Sequence, residues 1–238
     1  MAVTKNQTAR SRLSYEDVMA LLKAEGNPKN VAGMARFGIS SKNILGISVP
    51  FLRSTARRIG MDHSLSLKLW SSGVHEARIL ASMIDDQTMV TRAQMDQWVA
   101  DFDSWDVCDQ CCGNLFVKTP YAYDKAVEWS KKESEFGKRA GYALMAYLAV
   151  HDKSMENDRL GKFLPLITKG SDDDRNLVKK SVNWALRQIG KRNLQLNKMA
   201  VQTAREISRL DSKSARWIAA DALRELQSDA VKKKLRGG

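Results

Sequence analysis

The sequence predicts an all-α chain built of short helices that pair with one another. Three observations lead to this prediction. Helix-breaking residues are few for 238 residues, with 4 prolines and 14 glycines, and they fall where helices would end. No run alternates apolar and polar residues long enough to form a strand. Serine and threonine precede several stretches whose apolar residues recur with a helical period, as N-caps do.

The helices can be placed in order from these signals. Ser14 precedes an acidic first turn and begins a helix, which ends at residues 26–28. A short helix at 34–37 is followed by a loop, 38–48, and Pro50 stands in the first turn of a helix that ends at Gly60. Thr91 and Gln94 have the spacing of a capping box. Further helices are predicted at 63–70, 75–85, 91–102, 105–117, 122–132, 136–150, 157–168, 172–190, 195–207 and 213–227.

An Ala-Leu pair recurs in three of these helices, at 143–144, 185–186 and 222–223. The spacings of 42 and 37 residues are in or near the range of HEAT-like helical repeats. We therefore expect a single domain of HEAT-like repeats over 14–228, forming a curved solenoid with a basic concave face. A basic disordered leader at 1–13 and a basic tail at 229–238 would flank it. An irregular helical domain, in which common Ala-Leu pairs coincide, is the alternative.

The charge of the chain points to a phosphate-bearing or anionic partner. Lys and Arg total 39 against 27 Asp and Glu, a formal net charge of +12. The apolar stretches are short and broken by charge, so no membrane span is predicted, and the first residues lack the apolar segment of a secretory signal. The three cysteines lie within five residues and cannot form a disulfide framework. We expect a cytoplasmic, DNA-associated protein.

Trp105 and Asp109 form the first candidate site. They stand at i and i+4 at the start of a predicted helix and share one face, whereas Val107, Cys111 and Leu115 form an apolar stripe for the core. A carboxylate beside an indole could stabilise a cation that develops on a ligand. The alternative is an acidic group that favours the helix dipole, with Trp105 at the edge of the core.

A basic stripe on one later helix forms the second candidate site. It consists of Lys180, Trp184, Arg187 and Lys191, at i, i+4, i+7 and i+11. Cationic side chains bind phosphates and a flat ring packs against a sugar or base, so this pattern indicates a nucleic-acid contact. A solvated charged face is the simpler explanation of such a row, but the tryptophan in its middle is unusual for one.

No metal or cofactor is predicted. Cys108, Cys111 and Cys112 make one cluster, whereas a closed zinc site needs four ligands from two separated clusters. Small buried side chains on a helix explain these cysteines. The three histidines are scattered and make no partner pair. No glycine-rich phosphate loop, nucleotide fingerprint or serine elbow is present, so no nucleotide cofactor is expected.

Five segments of the sequence resemble the bacterial DNA alkylation repair proteins of the AlkD type, HEAT-like glycosylases that excise N3- and N7-alkylated purines. The likeness runs from about residue 15 to residue 225. It rests on the order and spacing of the segments together, since each alone is only moderately specific. The segments are MARF at 34–37, LGISVPFLR at 45–53, SWDVCD at 104–109, KRA at 138–140 and KSVNWALR at 180–187.

The resemblance implies roles for individual residues. Asp109 would stabilise the cationic sugar and position the attacking water, Trp105 and Trp184 would clamp the deoxyribose, and Arg139 would hold an adjacent phosphate. Phe37 stands where the best-known enzymes of this type carry a tyrosine, so the ring is kept and its hydroxyl is lost.

The expected partner is double-stranded DNA containing alkylated bases, bound by a monomer without extrusion of the lesion into a deep protein pocket. Because some relatives in this superfamily bind branched DNA without glycosylase activity, a non-catalytic DNA binder and a protein scaffold remain alternatives.

Overall fold

The structure is a computed structural model that describes residues 13–39 and 43–237, and these residues form helices, turns and loops without a strand. They divide into two compact units, within Met1–Asp86 and within Gln87–Gly238. The all-α prediction is thus confirmed for the described ranges, in which no helix is long and apolar enough to cross a membrane. The leader predicted at 1–13 lies outside the described residues, apart from Leu13.

The first unit is organised around α5, which packs against α3 and α4, while α1 lies against both α4 and α5. Ser14 caps α1 as predicted, in a capping box in which its hydroxyl accepts from the Asp17 amide at 3.1 Å. The core consists of aliphatic side chains such as Val18, Leu52 and Leu80. The helices are α1 (Tyr15–Glu25), α2 (Pro28–Ala35), α3 (Val49–Ile59), α4 (His63–Ser71) and α5 (His75–Ile84).

A buried carboxylate fixes the loop that leads into α3. Glu76, in the first turn of α5, accepts hydrogen bonds from the amides of Leu45 at 2.9 Å, Gly46 at 2.7 Å and Ile47 at 3.2 Å. Gly46 has φ +79°, and a Cβ there would stand 2.3 Å from the carbonyl oxygen of Asn27. The segment at 45–53 therefore needs both the glycine and the carboxylate, and the contribution of Glu76 was not predicted from the sequence.

The second unit consists of two rows of helices. Helices α7, α9, α12 and α14 pack side by side in that order, and α8, α11 and α13 pack against them. Gly141 of α9 permits close contact with α8, since a Cβ there would stand 2.3 Å from the Ser130 amide nitrogen. The helices are α6 (Arg92–Ala100), α7 (Trp105–Asn114), α8 (Ala122–Trp129), α9 (Glu135–His151), α10 (Asn157–Gly161), α11 (Leu164–Gly170), α12 (Asn176–Gly190), α13 (Leu194–Ile207), α14 (Lys213–Leu226) and α15 (Asp229–Arg236).

Several predicted boundaries differ from those observed, each for a local reason. The helix predicted at 105–117 ends at Asn114 and is followed by a separate 3-10 turn, Phe116–Lys118. The helix predicted at 157–168 is two helices, and Pro165 stands in the first turn of the second one. The segment predicted as a basic tail contains α15, which Ser228 caps.

The start of α12 also differs from the prediction, because residues 172–175 form a loop held by Asp173. Its carboxylate accepts from Arg175 and from Lys138 of α9, the latter at 3.1 Å, and its carbonyl oxygen accepts from the Ser214 hydroxyl at 2.7 Å. These contacts join α9, α12 and α14, so the acidic residues before α12 serve tertiary contacts rather than its first turn.

Candidate active site

Asp109 and Arg139 form a bidentate ion pair between α7 and α9. The Nε of Arg139 donates to Oδ1 of Asp109 at 2.9 Å, and Nη2 donates to Oδ2 at 2.7 Å. A third donor, Nη1, bonds the carbonyl oxygen of Leu177 in the first turn of α12 at 2.7 Å. The exposed fraction is 16% for the Asp109 side chain and 8% for that of Arg139. The pair thus joins three neighbouring helices while its carboxylate keeps some contact with solvent.

Burial and the neighbouring charges act on the pKa of Asp109 in opposite directions. Burial raises the pKa of the Asp109 carboxyl, and the charge of Asp106 adds to this, while the Arg139 guanidinium opposes it. The pKa of Arg139 is affected in turn: burial lowers it, but Asp109 raises it by more. Burial outweighs the guanidinium, so the pKa of Asp109 lies above its usual value, and Arg139 is the group that limits this rise.

The contacts of Arg139 within the chain differ from the phosphate contact expected of it, which stays a prediction. The resemblance implied that its guanidinium holds a DNA phosphate. In the structure the donating nitrogens of that group bond Asp109 and Leu177, and the side chain is almost fully buried. The site also differs from the helix-dipole alternative, because Asp109 has a buried cationic partner of its own.

Trp105 lies beside this pair, as its i, i+4 spacing from Asp109 predicts. Its indole is half-buried, and the Arg139 guanidinium carbon stands 5.9 Å from the ring centroid. Ser104 occupies the N-cap position of α7, but its side chain makes no capping hydrogen bond. The opposite side of α7 is core, since Val107, Cys111 and Leu115 are buried.

Tyr147 of α9 is a residue that the sequence did not predict for this site. Its ring makes an edge contact with Trp184 of α12 at 5.0 Å between centroids. On the α7 side, a Cβ on Gly113 would stand 2.5 Å from Cζ of the ring, so the tyrosine occupies the space that this glycine leaves open. Burial, together with the charge of Asp109, raises the pKa of the Tyr147 hydroxyl.

A signal for Tyr147 was present in the sequence. Gly113 stands inside a predicted helix at i+4 from Asp109, and a glycine at such a position indicates close approach by a neighbouring group. Tyr147 thereby links the Asp109 helix to Trp184. Trp105, Asp109 and Arg139 thus form one cluster in the second unit, and Tyr147 packs between the helix of Asp109 and Trp184.

The basic stripe of α12 is partly neutralised by α14. Arg187 bonds Glu225 at 2.5 Å and lies 3.5 Å from Asp221, and Lys191 bonds Glu225 at 2.5 Å. Burial raises the pKa of Glu225, but the two cations lower it by more, so this carboxylate is ionised at neutral pH. Lys180, by contrast, is exposed and has no ion pair within the described residues.

Phe37 lies in the first unit, in the turn that follows α2. The helix ends at Ala35, so the aromatic ring is presented from a turn rather than from the predicted short helix. Its exposed fraction is 73%, the largest among the exposed large apolar side chains of the described ranges. Such exposure suits a ligand contact.

The cysteines are part of the core of the second unit. Cys108, Cys111 and Cys112 are buried, and burial raises the pKa of the Cys108 and Cys112 thiols. Within residues 13–39 and 43–237, no group of three metal-ligating side chains is found. His63 bonds the buried carboxylate of Asp85 at 2.6 Å.

The chain is similar to a known protein family and to solved structures. The family model described as DNA alkylation repair enzyme matches residues 18–226. A solved structure described as a new family of proteins related to the HEAT-like repeat DNA glycosylases, with affinity for branched DNA structures, is similar to the chain. Its TM-score is 0.75 at 18% identity, over 90% of this chain and 96% of that one. The HEAT-like fold is thereby shown.

A designed armadillo repeat protein in complex with the peptide (KR)4 is a more distant match. It has a TM-score of 0.37 and 15% identity, over 78% of this chain and 79% of that one. No curated protein matches the chain by sequence.

Proposed function

The chain belongs to the DNA alkylation repair enzyme family, and on this premise we propose that it is a DNA glycosylase that hydrolyses the N-glycosidic bond of cationic alkylated purines. The substrates would be 3-methyladenine and 7-methylguanine in double-stranded DNA. The observation that carries the proposal is the half-buried carboxylate of Asp109, held by Arg139 beside the indole of Trp105.

The chemistry needs little acid catalysis. A purine alkylated at N3 or N7 is already cationic, so the glycosidic bond breaks with its electron pair passing to the purine, which leaves as a neutral base. The deoxyribose acquires positive charge at C1′, and water adds there and loses a proton. A fixed carboxylate stabilises the sugar cation and orients that water. Asp109 is the group proposed for both tasks.

Arg139 acts in this proposal as a positioning residue. Its two bonds to Asp109 fix the orientation of the carboxylate and favour its charged form. Each carboxylate oxygen has two lone pairs, so a bond from Arg139 leaves room for a second contact. Trp105 and Trp184 would lie against the deoxyribose and favour the cationic lesion through their ring faces.

Lys180 and the other cations of α12 would hold the DNA backbone, with Arg187 and Lys191 exchanging Glu225 for phosphate. The basic concave face predicted from the sequence stays part of the proposal, supported in the second unit by the exposed Lys180. Phe37 would contact DNA from the first unit. Binding is proposed to be salt-sensitive and largely independent of sequence, as expected of backbone contacts. Neither a metal nor a nucleotide is assigned a role.

The experiment is direct: purified protein is incubated with methylated duplex DNA, and the released bases are separated and quantified. Release of 3-methyladenine and 7-methylguanine above the spontaneous rate supports the proposal. Release at the spontaneous rate, from protein that is folded and bound to the DNA, contradicts it.

A non-catalytic binder of damaged or branched DNA is the second candidate. One observation favours it: both oxygens of Asp109 are engaged by Arg139, as in a purely structural ion pair. The solved relative described as having affinity for branched DNA is consistent with it. In that case DNA binding would persist and base release would be absent.

A further inference from the structure

Helices α12 and α14 face each other through three pairs of side chains with one constant spacing. Lys179 lies over Trp217, Asn183 donates to Asp221 at 2.7 Å, and Arg187 bonds Glu225, each pair 38 residues apart. The second and third pairs are polar contacts between complementary groups. The first pair differs, because its α14 member is an aromatic ring that remains open to solvent.

Trp217 is the most exposed of the six tryptophans, all of which lie in the described residues. Its exposed fraction is 42%, whereas Trp70, Trp98 and Trp129 are buried in the core. A large indole at the surface offers apolar area to a ligand, and exposed aromatics of this kind are common at binding sites.

Lys179 lies over this indole, and two further lysines stand near the pair in the sequences of α12 and α14. The Nζ of Lys179 stands 5.0 Å from the ring centroid, Lys180 follows it on α12, and Lys213 is one turn before Trp217 on α14. None of the three has an ion pair with a carboxylate in the part of the chain that the structure describes. They contrast with Arg187 and Lys191, whose charges Glu225 already offsets.

The cluster adjoins the candidate active site through the start of α12. Arg139, which holds Asp109, bonds the carbonyl oxygen of Leu177, two residues before Lys179. A DNA strand with its damaged sugar at Asp109 would therefore pass the lysines within a short distance.

We propose that Trp217, with Lys179, Lys180 and Lys213, forms a subsite for an unpaired nucleotide of the DNA strand next to the lesion. The lysines hold its phosphates and the indole stacks on its base. The position of the DNA strand in this inference rests on the proposed function. The inference extends that function from duplex DNA to partly single-stranded DNA. Base faces are covered in a continuous duplex, so an exposed indole stacks on a base only where the strand is unpaired.

The experiment compares two DNAs of equal length and charge that differ only in whether a short unpaired stretch lies beside the lesion position. Affinities of the full chain are measured by fluorescence anisotropy for the wild type, Trp217→Ala and Trp217→Phe. The wild type should bind the DNA with the unpaired stretch more tightly, by about tenfold, the scale of one stacked base. Trp217→Ala should lose this preference and Trp217→Phe should keep most of it. Leu194→Ala, which removes another exposed apolar side chain, serves as the matched control and should change neither affinity.

Neutralising the three lysines to glutamine should flatten the slope of log affinity against log salt by about 0.7 for each phosphate contact with a single strand. An equal loss of affinity for both DNAs in Trp217→Ala would overturn the subsite, as would a wild type without preference for the unpaired stretch. Absence of DNA binding altogether would instead contradict the proposed function.

Discussion

Asp109 and Arg139 are joined by two parallel hydrogen bonds, of 2.9 and 2.7 Å, from one guanidinium edge to the two carboxylate oxygens. Such bidentate geometry fixes the plane of the carboxylate as well as its distance. Because the pair is largely buried, removing either partner leaves the other with an uncompensated charge, a loss that typically costs about 3–5 kcal/mol of stability. The two residues are thus expected to behave as one unit in both folding and catalysis.

Arg139→Gln should make base release depend on pH. Without the guanidinium, burial raises the pKa of Asp109 further, so a larger share of the carboxyl is protonated and unable to stabilise a cation. The rate should therefore fall most at low pH and recover in part as the pH rises. Single-turnover rates across pH measure this. Arg192→Gln, which loses an arginine bond to the Ala149 carbonyl oxygen, is the matched control and should keep the wild-type profile.

Gly113→Ala should slow base release by about ten- to a hundredfold, the scale of a displacement near 1 Å in a reacting site. The added carbon would stand 2.5 Å from Cζ of Tyr147, so the ring must move and Trp184 loses its edge contact. Gly161→Ala meets only the flexible end of Met199 and should leave the rate near that of the wild type. A wild-type rate in folded Gly113→Ala would exclude a positioning role for Tyr147.

Glu225→Gln should tighten DNA binding. The substitution releases Lys191 from its carboxylate partner and leaves Arg187 with only Asp221, 3.5 Å away, so both cations can reach phosphates more easily. Affinity measured over a salt series should rise, and the slope of log affinity against log salt should steepen by about 0.9 for each additional phosphate that the two cations bind. Glu128→Gln, which removes a partner of Lys125 on α8, gives the same charge change away from the stripe. Equal effects of the two variants would mean that the net charge of the protein governs DNA binding, rather than the release of Arg187 and Lys191 from Glu225.

Asp173→Asn should lower the free energy of unfolding by about 1–2 kcal/mol at neutral pH. Burial raises the pKa of Asp173, but hydrogen bonds from Arg175 and Lys138 lower it by more, to about 2. A carboxyl group whose pKa is lowered in the folded protein stabilises that protein at pH values above its unfolded pKa of about 3.9. This stabilisation is lost as the pH falls toward about 2. The two proteins should therefore converge in denaturant titrations at acid pH. A constant difference from neutral pH down to the acid end would contradict this account.

The sequence predicted the helices better than it predicted the contacts between them. Caps, breakers and helical periodicity depend on neighbours in the chain, and they placed Trp105 and Asp109 correctly on one face of α7. The partner of Asp109 lies 30 residues away on α9, and nothing local in the sequence indicates which nitrogen of Arg139 bonds it. The same holds for Glu225, which forms ion pairs with Arg187 and Lys191 of α12. These pairs offset part of the positive charge that the sequence predicted for the basic stripe.

The most direct test of the central claim is single-turnover release of 7-methylguanine and 3-methyladenine by Asp109→Asn. The variant removes the charge and keeps the shape, so release should fall by about two orders of magnitude or more. Binding to undamaged DNA should persist or tighten, because a negative group near the phosphates is neutralised.

Asp124→Asn, with the same charge change at an exposed ion pair with Arg92, should release base at close to the wild-type rate. All three proteins are compared below the unfolding temperature of the least stable one, since Asp109→Asn leaves Arg139 without its charged partner. Release at the wild-type rate by folded Asp109→Asn would contradict the glycosylase mechanism proposed for this chain.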